Sequence, residues 1–299
     1  MHPLDRRGFT LIELMVAIVL MGIVATGIYR VLATNQRTYH AQTQRVELQQ
    51  NIRAAASILP AEFRELAASE GDIYAMGQTE IRMRAMRQFS ALCVAPVLGV
   101  GTTNLAVMVF KDLFSGNTFE VGDSILFFYD GDEGSRNDDG WVVGAVKSPP
   151  ATVACPNGSA AYAFTVDLHP AFPNATQLNR PGAIPNGGPI RGFQSVRYLL
   201  HQSPSDGLWY LALDVYVPGS NAWTDPQPLV GPLSGPEGLR FAYYDTLNAQ
   251  TAFPTNVALI EFAVAARTQD PVKSPGGGTL TTPVERLTTK VALRNNRRW

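Results

Sequence analysis

Between Phe9 and Tyr29 the only charged residue is Glu13, and the centre of this run, LMVAIVLM at residues 14–21, is apolar on every face a helix can present. A helix that is apolar all round has to be buried in protein or in lipid. About twenty such residues, at ~1.5 Å each, match the hydrocarbon thickness of a bilayer, so the direct reading is one membrane span. Arg6 and Arg7 precede the run and hold the N-terminus in the cytoplasm by the positive-inside rule, while Arg30 and Arg37 oppose that bias. A cleaved secretory signal is the competing reading, with Ala25-Thr26-Gly27 as a small-x-small cleavage site. Glu13 counts against it, because a carboxylate inside the apolar region costs about 2.5 kcal/mol or more on insertion scales and an export signal has no use for one. The run also leads into further helix-like sequence rather than into a mature N-terminus.

That further sequence has a different character. Leu48, Ile52, Ala55, Leu59, Phe63 and Leu66 recur three and four residues apart and form one apolar stripe, from which Glu47 and Arg53 fall away. Residues 31–46 are more polar and read as helix by continuity. Pro60 is expected to break or kink the helix near Leu59, or else to open a second short helix with Ala61 and Glu62 in its first turn. A continuous helix from Phe9 to Leu59 is about 75 Å long, which outlasts both a membrane and a domain.

After residue 70 the period falls to two. Ile81, Met83 and Ala85 alternate with Arg82, Arg84 and Met86 as in a half-exposed strand. Further strands are predicted at 105–110, 124–129, 141–146, 161–168, 195–201, 208–217, 239–244, 257–266 and 286–293. Val121-Gly122-Asp123 and Ser205-Asp206-Gly207 read as tight turns, which favour antiparallel hairpins. Residues 170–192 and 271–278 are rich in Pro and Gly and read as loops. The expected fold class is α+β: a long N-terminal α-helix, membrane-spanning in its first half, packed on a C-terminal antiparallel β-sheet domain. With 45% hydrophobic residues in 299, the chain has ample apolar surface for such a core.

A short charged leader ending in Gly8, followed by Phe9-Thr10-Leu11-Ile12-Glu13, resembles the precursor N-terminus of the type IV pilin superfamily. In that family a membrane prepilin peptidase cuts after the glycine and methylates the new N-terminal amine. The resemblance implies Gly8 and Phe9 as the cleavage junction, Phe9 as the site of N-methylation and Glu13 as an assembly residue that pairs with the terminal amine of a neighbouring subunit. Physical chemistry agrees, since a buried carboxylate needs an opposite charge. The plainer reading of Glu13 is an acid near the membrane surface that snorkels. The implied organisation is a prepilin leader at 1–8, a transmembrane and filament-core helix at 9–30, its amphipathic continuation at 31–69, and a β-rich head at 70–299. Residues 236–245, 257–268 and 291–295 are also similar to the closing strands of PilW-like minor pilins and of the J-type minor pseudopilins of type II secretion.

The function implied is a minor subunit, of tip or initiation type, of a type IV pilus. The alternatives are a minor pseudopilin of a type II secretion system and an adhesive or ligand-binding tip module. The partners implied are other pilin and minor pilin subunits, the prepilin peptidase and the inner-membrane assembly platform. The location implied is a single pass through a bacterial inner membrane, N-terminus in the cytoplasm and head in the periplasm, followed by a surface pilus or pseudopilus.

An extracytoplasmic head lies in an oxidising compartment, so Cys93 and Cys155 are candidates for a disulfide; two separate buried thiols are the alternative. Their spacing fits no zinc site. The densest acidic stretch, residues 130–140, offers Asp130, Asp132, Asp138 and Asp139 as oxygen ligands for calcium, and its D-x-D-x-G start resembles an EF-hand loop. Arg136 interrupts that pattern and Trp141 stands where the bidentate Glu belongs, which favours a solvated hairpin loop. No other cofactor is expected. His2, His40, His169 and His201 are scattered singly and no nucleophile, zinc-protease or phosphate-loop motif is present, so no enzyme is expected. A net charge of -1 gives no basis for nucleic-acid binding. Trp223 and Trp299 fall in a loop and at the terminus and are the aromatic candidates for the surface.

Overall fold

The structure, a computed structural model, describes residues 10–96, 103–113, 118–130, 134, 139–168, 183–217, 220–273 and 279–294. Gly8, Phe9, Asp132, Asp138, His2, His169 and Trp299 lie outside the described residues. One helix, α1 (Leu11–Arg64), runs for 54 residues, or about 80 Å at an α-helical rise. Every residue from Thr10 to Leu32 is exposed, whereas the predicted stripe of Leu48, Ile52, Ala55, Leu59, Phe63 and Leu66 is buried throughout.

The expected break at Pro60 does not occur, and α1 continues through it to Arg64. Proline inside a helix forfeits one backbone hydrogen bond and costs about 3 kcal/mol. That loss is offset by packing, because Leu59, Pro60 and Phe63 are all buried. The Phe63 ring sits edge-on to both Phe241 and Phe262, with centroids 6.1 and 6.2 Å away. Polar ties fix the helix on the sheet at several heights. Gln44 Oε1 accepts the Gln269 N–H at 3.0 Å, Asn51 Nδ2 donates to the Gly231 carbonyl at 2.6 Å, Glu62 pairs with Arg87 at 3.0 Å, and the Arg64 carbonyl accepts the Arg294 N–H at 3.1 Å. Just past the helix, buried Asp72 accepts the Ala67 N–H at 2.8 Å and lies 3.5 Å from Arg84. Burial pushes its carboxyl above the ordinary carboxylate range, with the Ala67 N–H and Arg84 pulling the other way.

The chain then forms β1 (Ile73–Met76), β2 (Glu80–Ala91), β3 (Asn104–Phe110), β4 (Ser124–Tyr129), β5 (Gly140–Val146), β6 (Ala151–Ala154), β7 (Ala160–Leu168) and β8 (Pro189–Gln202). After these come β9 (Trp209–Val217), β10 (Ala222–Trp223), β11 (Gln227–Leu233), β12 (Leu239–Tyr244), β13 (Leu259–Arg267), β14 (Val272–Lys273), β15 (Leu280–Thr281) and β16 (Val284–Ala292). All described pairings are antiparallel, and β14 pairs β15 apart from the main sheet. The expected α+β class is the one observed.

Strand β8 is the spine. It pairs with β2 along one edge, while its other edge pairs with β4 near its start and with β9 near its end. Two cores result. The first gathers the α1 stripe with Ile81, Met83, Val196, Tyr198, Phe241 and Phe262. The second, built from β3, β4, β5, β7, the start of β8 and Phe119 of the β3–β4 connection, gathers Val107, Val109, Phe127, Val142 and Phe164 with no helix among its described residues. This second lobe is an insertion, entered after β2 and left at β8. Its neck is closed by the Leu92 N–H donating to the Gly188 carbonyl at 2.9 Å and by the Gly187 N–H donating back to the Leu92 carbonyl at 2.8 Å. Cys93, beside that neck, is disulfide-bonded to Cys155 in the β6–β7 turn, with Cα atoms 5.9 Å apart.

Several sequence expectations are corrected. Residues 189–192, read as the end of a loop, begin β8: Pro189 stands first in the strand, where its missing N–H is tolerated, and a Cβ at Gly192 would collide with Gln88 and Phe119. Strand β11 lies where no strand is predicted; Pro228 and Pro232 are inside it, and irregular register at Pro228–Val230 and Val230–Leu233 accommodates them. Within the supposed loop at 271–278, Val272 and Lys273 form β14.

Two outcomes follow for stability. Phe63→Ala is expected to lower head stability by about 3–5 kcal/mol in denaturant unfolding, since it empties the contact that holds α1 to β12 and β13. Removing the disulfide with Cys93→Ser and Cys155→Ser, which frees a loop 62 residues long, is expected to cost roughly 2–4 kcal/mol. In hydrogen exchange the added opening should be confined to residues 103–168 and leave the helix-packed core protected.

Candidate assembly site on the N-terminal helix

The start of α1 is built by a reciprocal cap. Thr10 is extended (φ -82°, ψ 151°) and its Oγ1 accepts the Glu13 N–H at 3.3 Å. In return Glu13 Oε2 accepts the Thr10 N–H and the Thr10 hydroxyl, both at 2.9 Å. A capping box of this kind satisfies two backbone donors that a helix start otherwise leaves open. The negative end of Glu13 also lies at the positive end of the helix dipole.

The cap satisfies the carboxylate by hydrogen bonding without neutralising it. Among the described residues no cation lies within ion-pairing distance of Glu13. Around it Leu11, Ile12, Leu14 and Met15 are all exposed. The arrangement is a single acid on a bare apolar helix, presenting one negative charge to whatever covers that helix. Thr10 was missed as a site residue in the sequence. Its signal was present in the spacing Thr10-x-x-Glu13, which is the capping-box pattern.

Gly22 and Gly27 lie within unbroken helix, and a Cβ at either would meet nothing within 4 Å. They lower helix propensity there without breaking the helix. Helix α1 as a whole is long and apolar enough to cross a membrane, with none of its most apolar stretch buried.

Of the calcium candidates, Asp130 follows Tyr129 and Asp139 precedes Gly140, the last pair of the β4–β5 ladder, so the structure brings these two to one hairpin end; the Asp130 N–H donates to the Ala183 carbonyl at 2.9 Å, and Asp139 lines a cleft with Ser69, Glu70 and Asp245. Among the described residues no group of three or more His, Cys, Asp or Glu side chains is placed to hold a metal ion. His40 lies on α1 beside Tyr39 and His201 on β8, far apart in the fold. Trp223 is half-buried rather than a free surface aromatic: it lies edge-on to Tyr216, under Arg82 and Arg197 at 5.9 and 5.2 Å.

Residues 4–29 match the prokaryotic N-terminal methylation motif. No curated protein and no solved structure matches the chain. The matched segment contains the charged leader, the Gly8-Phe9 junction, the capped Glu13 and the exposed apolar half of α1, and it supports a place for this chain in the type IV pilin and pseudopilin superfamily as a protein processed by prepilin peptidase.

Proposed function

We propose that the protein is a minor subunit of a type IV pilus, of the PilW-like sort, cut after Gly8, methylated on Phe9 and inserted into a filament through α1. The observation that carries this reading is the division of α1. The apolar stripe of its second half is buried on the head, and every residue of its first half, from Thr10 to Leu32, is exposed. An exposed apolar helix of that length is stable in lipid before assembly and among other such helices afterwards. The N-terminus stays in the cytoplasm, the head enters the periplasm, and the final location is the cell-surface filament.

Glu13 supplies specificity. In lipid its carboxylate is held by Thr10, and in the filament the free amine of a neighbouring mature subunit gives it the opposite charge that the cap lacks. The role is structural rather than enzymatic. The size of the head, two cores on one spine, suits a subunit present in few copies more than one that repeats along the shaft. A pseudopilin of a secretion system would share all of the N-terminal chemistry.

The test separates charge from capping. Glu13→Gln keeps an oxygen to accept from Thr10 but removes the charge, and Glu13→Ala removes both. Both variants are expected to be cleaved by the peptidase and to remain in the membrane fraction, while their amount in sheared filaments falls at least about tenfold, the equivalent of about 1.4 kcal/mol per incorporation event. Wild-type recovery of Glu13→Gln in filaments would overturn the assembly role of the charge.

A further inference from the structure

Two clefts of opposite charge lie side by side at the waist between the lobes. The larger, about 650 Å3, is lined by Glu70, Asp139 and Asp245 together with Ser69, Trp141 and Asn256, with no cation among its described lining residues. The smaller, about 300 Å3, is lined by Arg64, Arg191 and Arg294 against the single carboxylate of Glu65. One stacked pair forms the wall between them. The Arg191 guanidinium lies 4.3 Å from the Trp141 ring centroid, with Arg191 facing the basic cleft and Trp141 the acidic one.

The basic cleft is built against its own repulsion. The Arg294 N–H donates to the Arg64 carbonyl at 3.1 Å, which brings two arginines together at the end of α1. The negative end of the helix dipole makes that position tolerable for cations. Neither guanidinium, nor the Asp139 carboxylate across the wall, enters an ion pair among the described residues. Clefts lined by one sign of charge focus the field and attract the opposite sign. A lipid headgroup at the end of the span is out of reach, since Arg64 lies about 50 Å along the helix from Arg30. Carboxylates that complement it line the adjoining cleft.

We propose that the heads of two copies of this chain associate at this waist, the basic cleft of one receiving the acidic cleft of the other. Because the two clefts share a wall, a two-fold pairing sets each basic cleft against the partner's acidic one, so the contact is reciprocal and closes as a dimer. It joins head to head and does not depend on how the N-terminus is processed or on which filament the protein enters.

The test uses the full chain in a neutral detergent, with self-association followed by sedimentation. Association is expected to weaken about tenfold when sodium chloride rises from about 50 to about 500 mM, as screening of the clefts requires. Arg64→Glu with Arg294→Glu in one protein, and Asp139→Arg in another, should each abolish the salt-sensitive association. An equimolar mixture of the two should restore it, because the first keeps its acidic cleft and the second its basic one. The neutral variants Arg294→Gln and Asp139→Asn, which leave the fold the least to accommodate, should each weaken it several-fold. Association that ignores salt, a mixture that stays dissociated, or neutral variants that behave as wild type would each overturn the proposal.

Discussion

The constraint on which the rest depends is that one rigid helix has to satisfy two environments. An α-helix satisfies its own backbone, so α1 can leave the head and enter lipid without exposing unpaired amides and carbonyls to hydrocarbon. Its side chains then decide which half goes where. From Leu48 onward the apolar residues occupy one stripe and are covered by the sheet; up to Leu32 they occupy the whole circumference and are exposed. The contacts of Phe63 with Phe241 and Phe262, and the polar ties at Gln44, Asn51, Glu62 and Arg64, hold the second half so firmly that the helix passes through a proline without ending. Whatever pulls on the first half is thereby transmitted to the head.

The head is organised around β8 in a way that isolates this mechanical task. The lobe that carries the helix closes its core with α1, and the inserted lobe closes its core with strands and the segments that connect them. The insertion is joined through a hydrogen-bonded neck and stapled by Cys93 and Cys155 beside it. Loops of that lobe therefore have room to vary without disturbing the helix seat.

Much of this was legible in the sequence because it rested on period. The stripe from Leu48 to Leu66 and the alternation at Ile81, Met83 and Ala85 appear in the structure as the buried residues they were expected to be. What period does not reveal is compensation between distant residues. Pro60 reads locally as a break, and β11, which contains two prolines, lies where no strand is predicted; tertiary packing and irregular register explain why both elements form. The division of the head into two cores was likewise hidden, since β2 and β8 are far apart in sequence and meet only in the fold. At the site itself Glu13 stood out as a lone charge, whereas Thr10 looked like an ordinary polar residue and gains its meaning from the backbone donors of a helix start.

The proposed function requires that the apolar half of α1 be retained behind a processed Phe9. The most direct measurement is mass spectrometry of the N-terminal peptide of the membrane-extracted protein, produced in a host with a prepilin peptidase. The account predicts a peptide that begins at Phe9 and carries one added methyl group on its amine. A peptide that begins at Ile28, as cleavage after Ala25-Thr26-Gly27 would produce, or an intact Met1 in that host, would contradict it.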